Sequence, residues 1–199
     1  MHGLINRSIQ CFLRDTYGPD IWALVATEAR LGFDSFEAML SYDTALTEAV
    51  IVAATRVLDR PRDTVLEDFG TYLVSHPNLE PLRRLLRFGG MTFEEFLHSL
   101  EDLPERGRLA VPDLDLPMLV LAERGGEEFT LTCSFPLAGV GHVMTGLLRA
   151  MADDYGALVL IDTCGPEGGP QDAAEVVSVH LLERGFAKGR RFDLADRAG

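Results

Sequence analysis

The hydrophobic period changes near Pro104, and that change constrains the fold more than any other feature of the sequence. Before this point apolar residues recur at helical spacing; after it they gather in short strand-like runs. Ile5, Ile9, Phe12 and Leu13 form one helical stripe. Tyr17-Gly18-Pro19-Asp20 breaks it, with Asp20 read as the N-cap of a helix from Ile21 to Arg30. A third helix is expected from about Ser35, and a longer one from about Asp43 to Leu58, stopping before Pro61. Asp63 is placed as the cap of Thr64 to Tyr72. His76-Pro77-Asn78 is a break, and Leu79 to Phe88 a helix ended by Gly89-Gly90. Thr92-Phe93-Glu94-Glu95 has the form of a capping box opening a helix to Leu103.

Beyond Pro104, Met118 to Ala122 and Phe129 to Cys133 read as strands joined by a turn at Arg124-Gly125-Gly126. Val140 to Asp153 reads as a helix. Leu158 to Asp162 and Val176 to Leu182 are strands around a Gly/Pro loop, Gly165 to Pro170. A helical half followed by strand–strand–helix–strand–strand is an α+β pattern. With 199 residues, 47% of them hydrophobic, one domain with a real core is expected. The 31 acidic and 18 basic residues leave a charge of −13, which argues against nucleic acid or an anionic membrane as partner. No apolar run is long enough to span a bilayer, and the first residues lack a signal-peptide pattern, so a cytoplasmic protein is expected.

Familiar chemical motifs fail. Gly139-Val140-Gly141-His142-Val143-Met144-Thr145-Gly146 is glycine-rich but lacks the Lys-Ser/Thr of a phosphate loop and the dinucleotide spacing. The pairs Glu94-Glu95 and Asp153-Asp154 read as solvated helix faces, and the dispersed Cys11, Cys133 and Cys164 as buried, small apolar side chains outside any disulfide framework or local zinc site. On the Thr92–Leu103 helix, Phe93, Phe96, Leu97, Leu100 and Leu103 share a face and His98 points away from it. Position 104, a proline, falls in the middle of that face. The cluster Arg83, Arg84, Arg87 is either a docking face or a solvated one.

The opening Met1-His2-Gly3-Leu4-Ile5-Asn6 resembles the start of the H-NOX family, the heme nitric oxide/oxygen-binding sensor domains. The likeness continues through Gly32-Phe33, Leu58, Arg60-Pro61 and Phe69-Gly70-x-Tyr72. It then takes in Phe93-x-x-Phe96-Leu97-x-x-Leu100, Leu109-x-x-Pro112-x-Leu114-x-x-Pro117 and Gly146-Leu147-Leu148, covering about residues 1–185. The resemblance implies a helical N-terminal lobe (about 1–60) and an α/β lobe (about 61–185) with a four-stranded antiparallel sheet and packed helices. Residues 186–199 follow as a charged tail.

The family's iron-ligating histidine aligns with Pro104. Its propionate-binding Y-x-S-x-R aligns with Cys133-Ser134-Phe135-Pro136-Leu137, so Cys133, Phe135 and Leu137 replace the polar anchors. Pro117, which packs on the heme in the family, is retained, as are Ile5 and Leu73 of the distal wall. The resemblance therefore implies a sensory domain without heme, metal or enzymatic activity. Its apolar pocket would be formed by Ile5, Leu73, Leu100, Pro104, Pro117, Cys133, Phe135, Leu137 and His142, and would suit a fatty acid or other lipid-like ligand. A signalling partner such as a histidine kinase or cyclase follows by family analogy. Two alternatives stay open: a heme-binding gas sensor using His142 or His98 as iron ligand, and an interaction module with a vestigial pocket.

Overall fold

The computed structural model describes residues 1–167 and 174–190. The opening motif has a physical basis. His2 caps helix α1 (Gly3–Tyr17), its Nδ1 accepting the Leu4 N–H at 3.1 Å. A Cβ on Gly3 would lie 2.1 Å from the Glu37 carbonyl oxygen, so only glycine lets α1 approach that loop. Asn6 is buried and accepts the Thr47 hydroxyl at 2.7 Å. Helix α2 (Pro19–Glu28) begins one residue before the expected cap, because proline at the first helical position loses no hydrogen bond; Asp20 sits in its first turn.

The helix expected from Ser35 is absent. Side chains serve that segment's backbone instead: Gln10 Oε1 accepts the Phe36 N–H, the Tyr42 hydroxyl accepts that of Glu37, and the Trp22 indole donates to the Asp34 carbonyl. Phe36 is fully buried, edge-on to Phe33 and Tyr42. Helix α3 (Thr44–Leu58) is capped by Asp43, as expected. Helix α4 (Arg62–Ser75) starts directly after Pro61, so Asp63 lies in its first turn and does not cap it. A 3-10 turn at Pro77–Leu79 leads into α5 (Glu80–Arg87).

Thr92 does cap α6 (Phe93–His98): its Oγ1 accepts the Glu95 N–H, while the Glu95 carboxylate accepts that of Met91. Thr92→Ala is expected to lower stability by about 1 kcal/mol, read from the urea midpoint. The helix does not run on to Leu103. It breaks at Ser99–Asp102, where Arg106 donates to the Ser99 carbonyl at 2.6 Å, and α7 (Leu103–Ala110) begins anew. Pro104 therefore opens a helix, in the first turn where its missing N–H costs nothing, and does not end one. Helical phase carried from α6 does not reach position 104 through such a turn, and Pro104 is only half-buried.

Strands β1 (Met118–Gly125), β2 (Glu128–Ser134), β3 (Leu158–Glu167) and β4 (Ala174–Glu183) make an antiparallel sheet ordered β1-β2-β4-β3. Strand β3 extends through residues 165–167, where a loop was expected; the rest of that loop and the tail from 191 lie outside the described residues. Helix α8 (Val140–Tyr155) covers the face carrying Leu131, Cys133, Val177 and Val179. One backbone group on each edge strand is met by a side chain: Glu101 accepts the Leu121 N–H on β1, and Arg149 donates to the Ile161 carbonyl on β3. Two apolar clusters result, one centred on α1 and α3, the other between sheet and α8. Helix α4 contributes Val65, Phe69 and Tyr72 to the first and Val74 to the second.

Candidate functional site

The residues aligned with heme contacts divide between these clusters. Ile5 and Leu73 pack on the first. Leu100 and Cys133 are fully buried in the second, with Phe135 against it. Pro104, Pro117 and Leu137 are half-buried. A cavity of about 10 Å³ lies among α1, α3 and α4, lined by Ile9, Phe12, Leu13, Ile51, Ala54, Val65, Leu66 and Phe69. That is room for about one water molecule. None of the residues chosen from the sequence lines it.

The residues present do not fit a heme. Burial, and secondarily the Glu175 carboxylate, push the Cys133 thiol up to about 12, so at neutral pH it is an uncharged group with nothing to offer a propionate in place of a tyrosine hydroxyl. Phe135 and Leu137 offer a propionate no donor. His142 lies between two carboxylates, with Nδ1 3.3 Å from Glu67 and Nε2 3.4 Å from the exposed Asp63. His98 points outward, as its phase implied, 3.3 Å from Glu123 and edge-on to Phe129. His2 caps α1, His76 lies beside Asp15 and Tyr72, and His180 is exposed on β4. Among the described residues no three His, Cys, Asp or Glu side chains are grouped to hold a metal ion.

Charged residues fare differently from their sequence reading. Asp154 is buried, not on a solvated face, and Arg83 is buried with it: Nε donates to Asp154 Oδ1 at 2.9 Å. Arg87 lies 3.6 Å from the same carboxylate and 3.8 Å over the Tyr155 ring. Two of the three arginines thus face inward, and the cluster is neither a docking face nor a solvated one. Glu175, which nothing in the sequence singled out, accepts from the backbone at the start of α8. Its partners are amides, which leave no mark in side-chain patterns.

A family model described as Haem-NO-binding matches residues 2–162. Soluble guanylate cyclase gcy-31 of Caenorhabditis elegans is 25% identical over 77% of this chain and 22% of its own length. Soluble guanylate cyclase 89Db of Drosophila melanogaster is 20% identical over 85% and 27%. The chain thus spans about a quarter of these relatives. Among solved structures, a Cs H-NOX variant carrying 4-cyano-L-phenylalanine superposes with a TM-score of 0.77 at 11% identity, covering 94% of this chain and all of that one. An H-NOX protein from S. oneidensis gives 0.76 at 16% identity, covering 92% and 97%.

Proposed function

We propose that this chain, which belongs to the Haem-NO-binding family, is a heme-independent sensory domain that acts on a partner protein. The observation that carries this reading is the presence of Pro104, Cys133, Phe135 and Leu137 together where the family has its polar heme anchors, while His142 lies against Glu67 and Asp63. Two propionates against Phe135 and Leu137 would go unpaired, at a cost of several kcal/mol. In this reading the domain spans residues 1–185 as two lobes meeting near residue 60, and it transmits their relative arrangement through α4 and α8. It has no catalytic step of its own. The guanylate cyclase relatives support a cyclase-type effector as the partner. No helix among the described residues is long and apolar enough to cross a membrane.

A lipid-like occupant is a second reading, favoured by the wholly apolar lining of the cavity between α1, α3 and α4. At about 10 Å³ it admits an acyl chain only if side chains move apart. Heme titration followed by absorption spectroscopy, with mass spectrometry of an organic extract, tests both. The expected result is no saturable Soret band. A stoichiometric band with a defined axial ligand overturns the proposal, and a stoichiometric lipid in the extract establishes the second reading. Pro104→His alone is expected to leave the titration unchanged, because the propionate anchors are still missing; a full heme complex in that variant would contradict the account given to Phe135 and Leu137.

A further inference from the structure

The glycines of Gly139-Val140-Gly141 have a use that neither a phosphate nor a heme explains. Helix α8 is sixteen residues long, carries no acidic side chain in its first turn and receives no side-chain bond from its own N-cap, Gly139. The positive end of its dipole is met from the sheet instead. Glu175 on β4 places Oε1 2.5 Å from the Gly139 nitrogen and Oε2 2.7 Å from the Gly141 nitrogen. Both are charge-assisted bonds to amides that otherwise lack an intrahelical partner. Gly139 is held at φ +94°, which favours glycine, and a Cβ on Gly141 would come within 2.9 Å of Glu175 Oε2. The sequence keeps the glycines of an anion-binding turn, and the anion is its own side chain.

We infer that Glu175 is a carboxylate latch fastening β4 to the start of α8. The same end of α8 is gripped from the other side: Arg62 of α4, paired with Glu48, donates to the Ala138 carbonyl at 2.9 Å. One turn further on, the Thr145 and Thr163 hydroxyls meet at 2.6 Å. The start of α8 is therefore a three-way junction of sheet, α8 and α4, and Glu175 is its charged tie to the sheet. With the latch closed, β4 and α8 move as one body; with it open, the turn that follows Phe135 and Leu137 is released. This inference rests on the Glu175 contacts alone and stands whether or not heme binds.

Amide hydrogen exchange at Gly139 and Gly141 tests it, comparing the parent chain with Glu175→Ala, Glu175→Gln and, as control on the exposed end of the same strand, Glu183→Ala. Glu175→Ala is expected to speed exchange at these two amides by roughly tenfold or more. Added formate, which supplies the carboxylate group alone, is expected to slow it again. Glu175→Gln should fall between, and it carries the comparison if the alanine variant does not fold. Glu183→Ala should match the parent. Unchanged exchange in both Glu175 variants overturns the latch. So does an acceleration that formate leaves untouched, or one that Glu183→Ala reproduces.

Discussion

Asp154→Ala is expected to lower the stability of the domain by about 3 kcal/mol, because it removes the buried carboxylate that Arg83 and Arg87 share. Asp154 is 2% exposed and Arg83 5%. Arg83 reaches the carboxylate with both Nε and an Nη, at 2.9 and 2.8 Å, and Arg87 approaches its second oxygen. When the carboxylate is removed, Arg83 retains the half-exposed Glu80 at 2.8 Å, while its buried Nε loses its acceptor. The backbone beside the pair holds residues 187 and 190: the Arg190 N–H donates to the Asp154 carbonyl, and that of Ala187 to Gly156. An exposed pair offers the contrast. Arg56 and Glu28 lie 3.0 Å apart but are 68% and 46% exposed, so Arg56→Ala should cost about 1 kcal/mol at most. Urea midpoints at constant slope decide the matter. The double change Arg83→Met with Asp154→Leu should be less damaging than Asp154→Ala, since an apolar pair leaves less charge uncompensated. An Asp154→Ala variant within about 1 kcal/mol of the parent would mean that solvent reaches this site.

The elements were legible where one periodicity ran uninterrupted. Helix α8 and strands β1, β2 and β4 were placed within a few residues because their apolar faces are continuous, whereas β3 runs on past its expected end at Asp162 to Glu167. The Asp43 and Thr92 caps were visible for a related reason: a short polar residue before an apolar run has a local cause and a local partner. The segment from Ser35 was misread because its order comes from Gln10, Trp22 and Tyr42, up to 26 residues away in the chain. Pro104 shows how phase fails. Leu100 and Leu103 are both buried, yet a turn between them resets the helix, so the position is half-buried and begins α7. The resemblance sets Pro104, Phe135 and Leu137 where the family has its heme anchors; the contacts that tie this part of the fold together were not legible in it. Glu175 on backbone amides and Asp154 between arginines are tertiary pairings of residues 34 and 71 positions apart. Part of the acidity behind the −13 charge is structural: Glu67, Asp154 and Glu175 each tie one element to another.

The contact of α4 with α8 supports the second large expectation, and here the sign is informative. In an isolated helix Gly→Ala stabilises by about 1 kcal/mol. Gly146→Ala is instead expected to destabilise this domain by about 3 kcal/mol or more, since an added Cβ would meet backbone and not a side chain that can turn aside. That Cβ would lie 1.9 Å from the Glu67 carbonyl oxygen and 2.7 Å from its carbon. Gly70 makes the reciprocal approach, its Cβ position 2.0 Å from the Val143 oxygen and 2.9 Å from the Leu147 nitrogen. Between them the Thr71 hydroxyl donates to the Gly146 carbonyl at 3.3 Å. The two helices therefore touch along their backbones, and relief requires sliding one past the other. Such a shift would also disturb Glu67, which holds His142 and Arg149 of α8 from α4. Gly185→Ala, with nothing within 4 Å of the new methyl group, is the matched control and should change stability by no more than about 0.5 kcal/mol. If α4 and α8 are one rigid unit, Gly70→Ala should be as damaging as Gly146→Ala, and combining them should add less than their sum, because the first already forces the helices apart. Full additivity would show that the two glycines yield independently, and that the junction through which this domain is proposed to signal is two separate contacts.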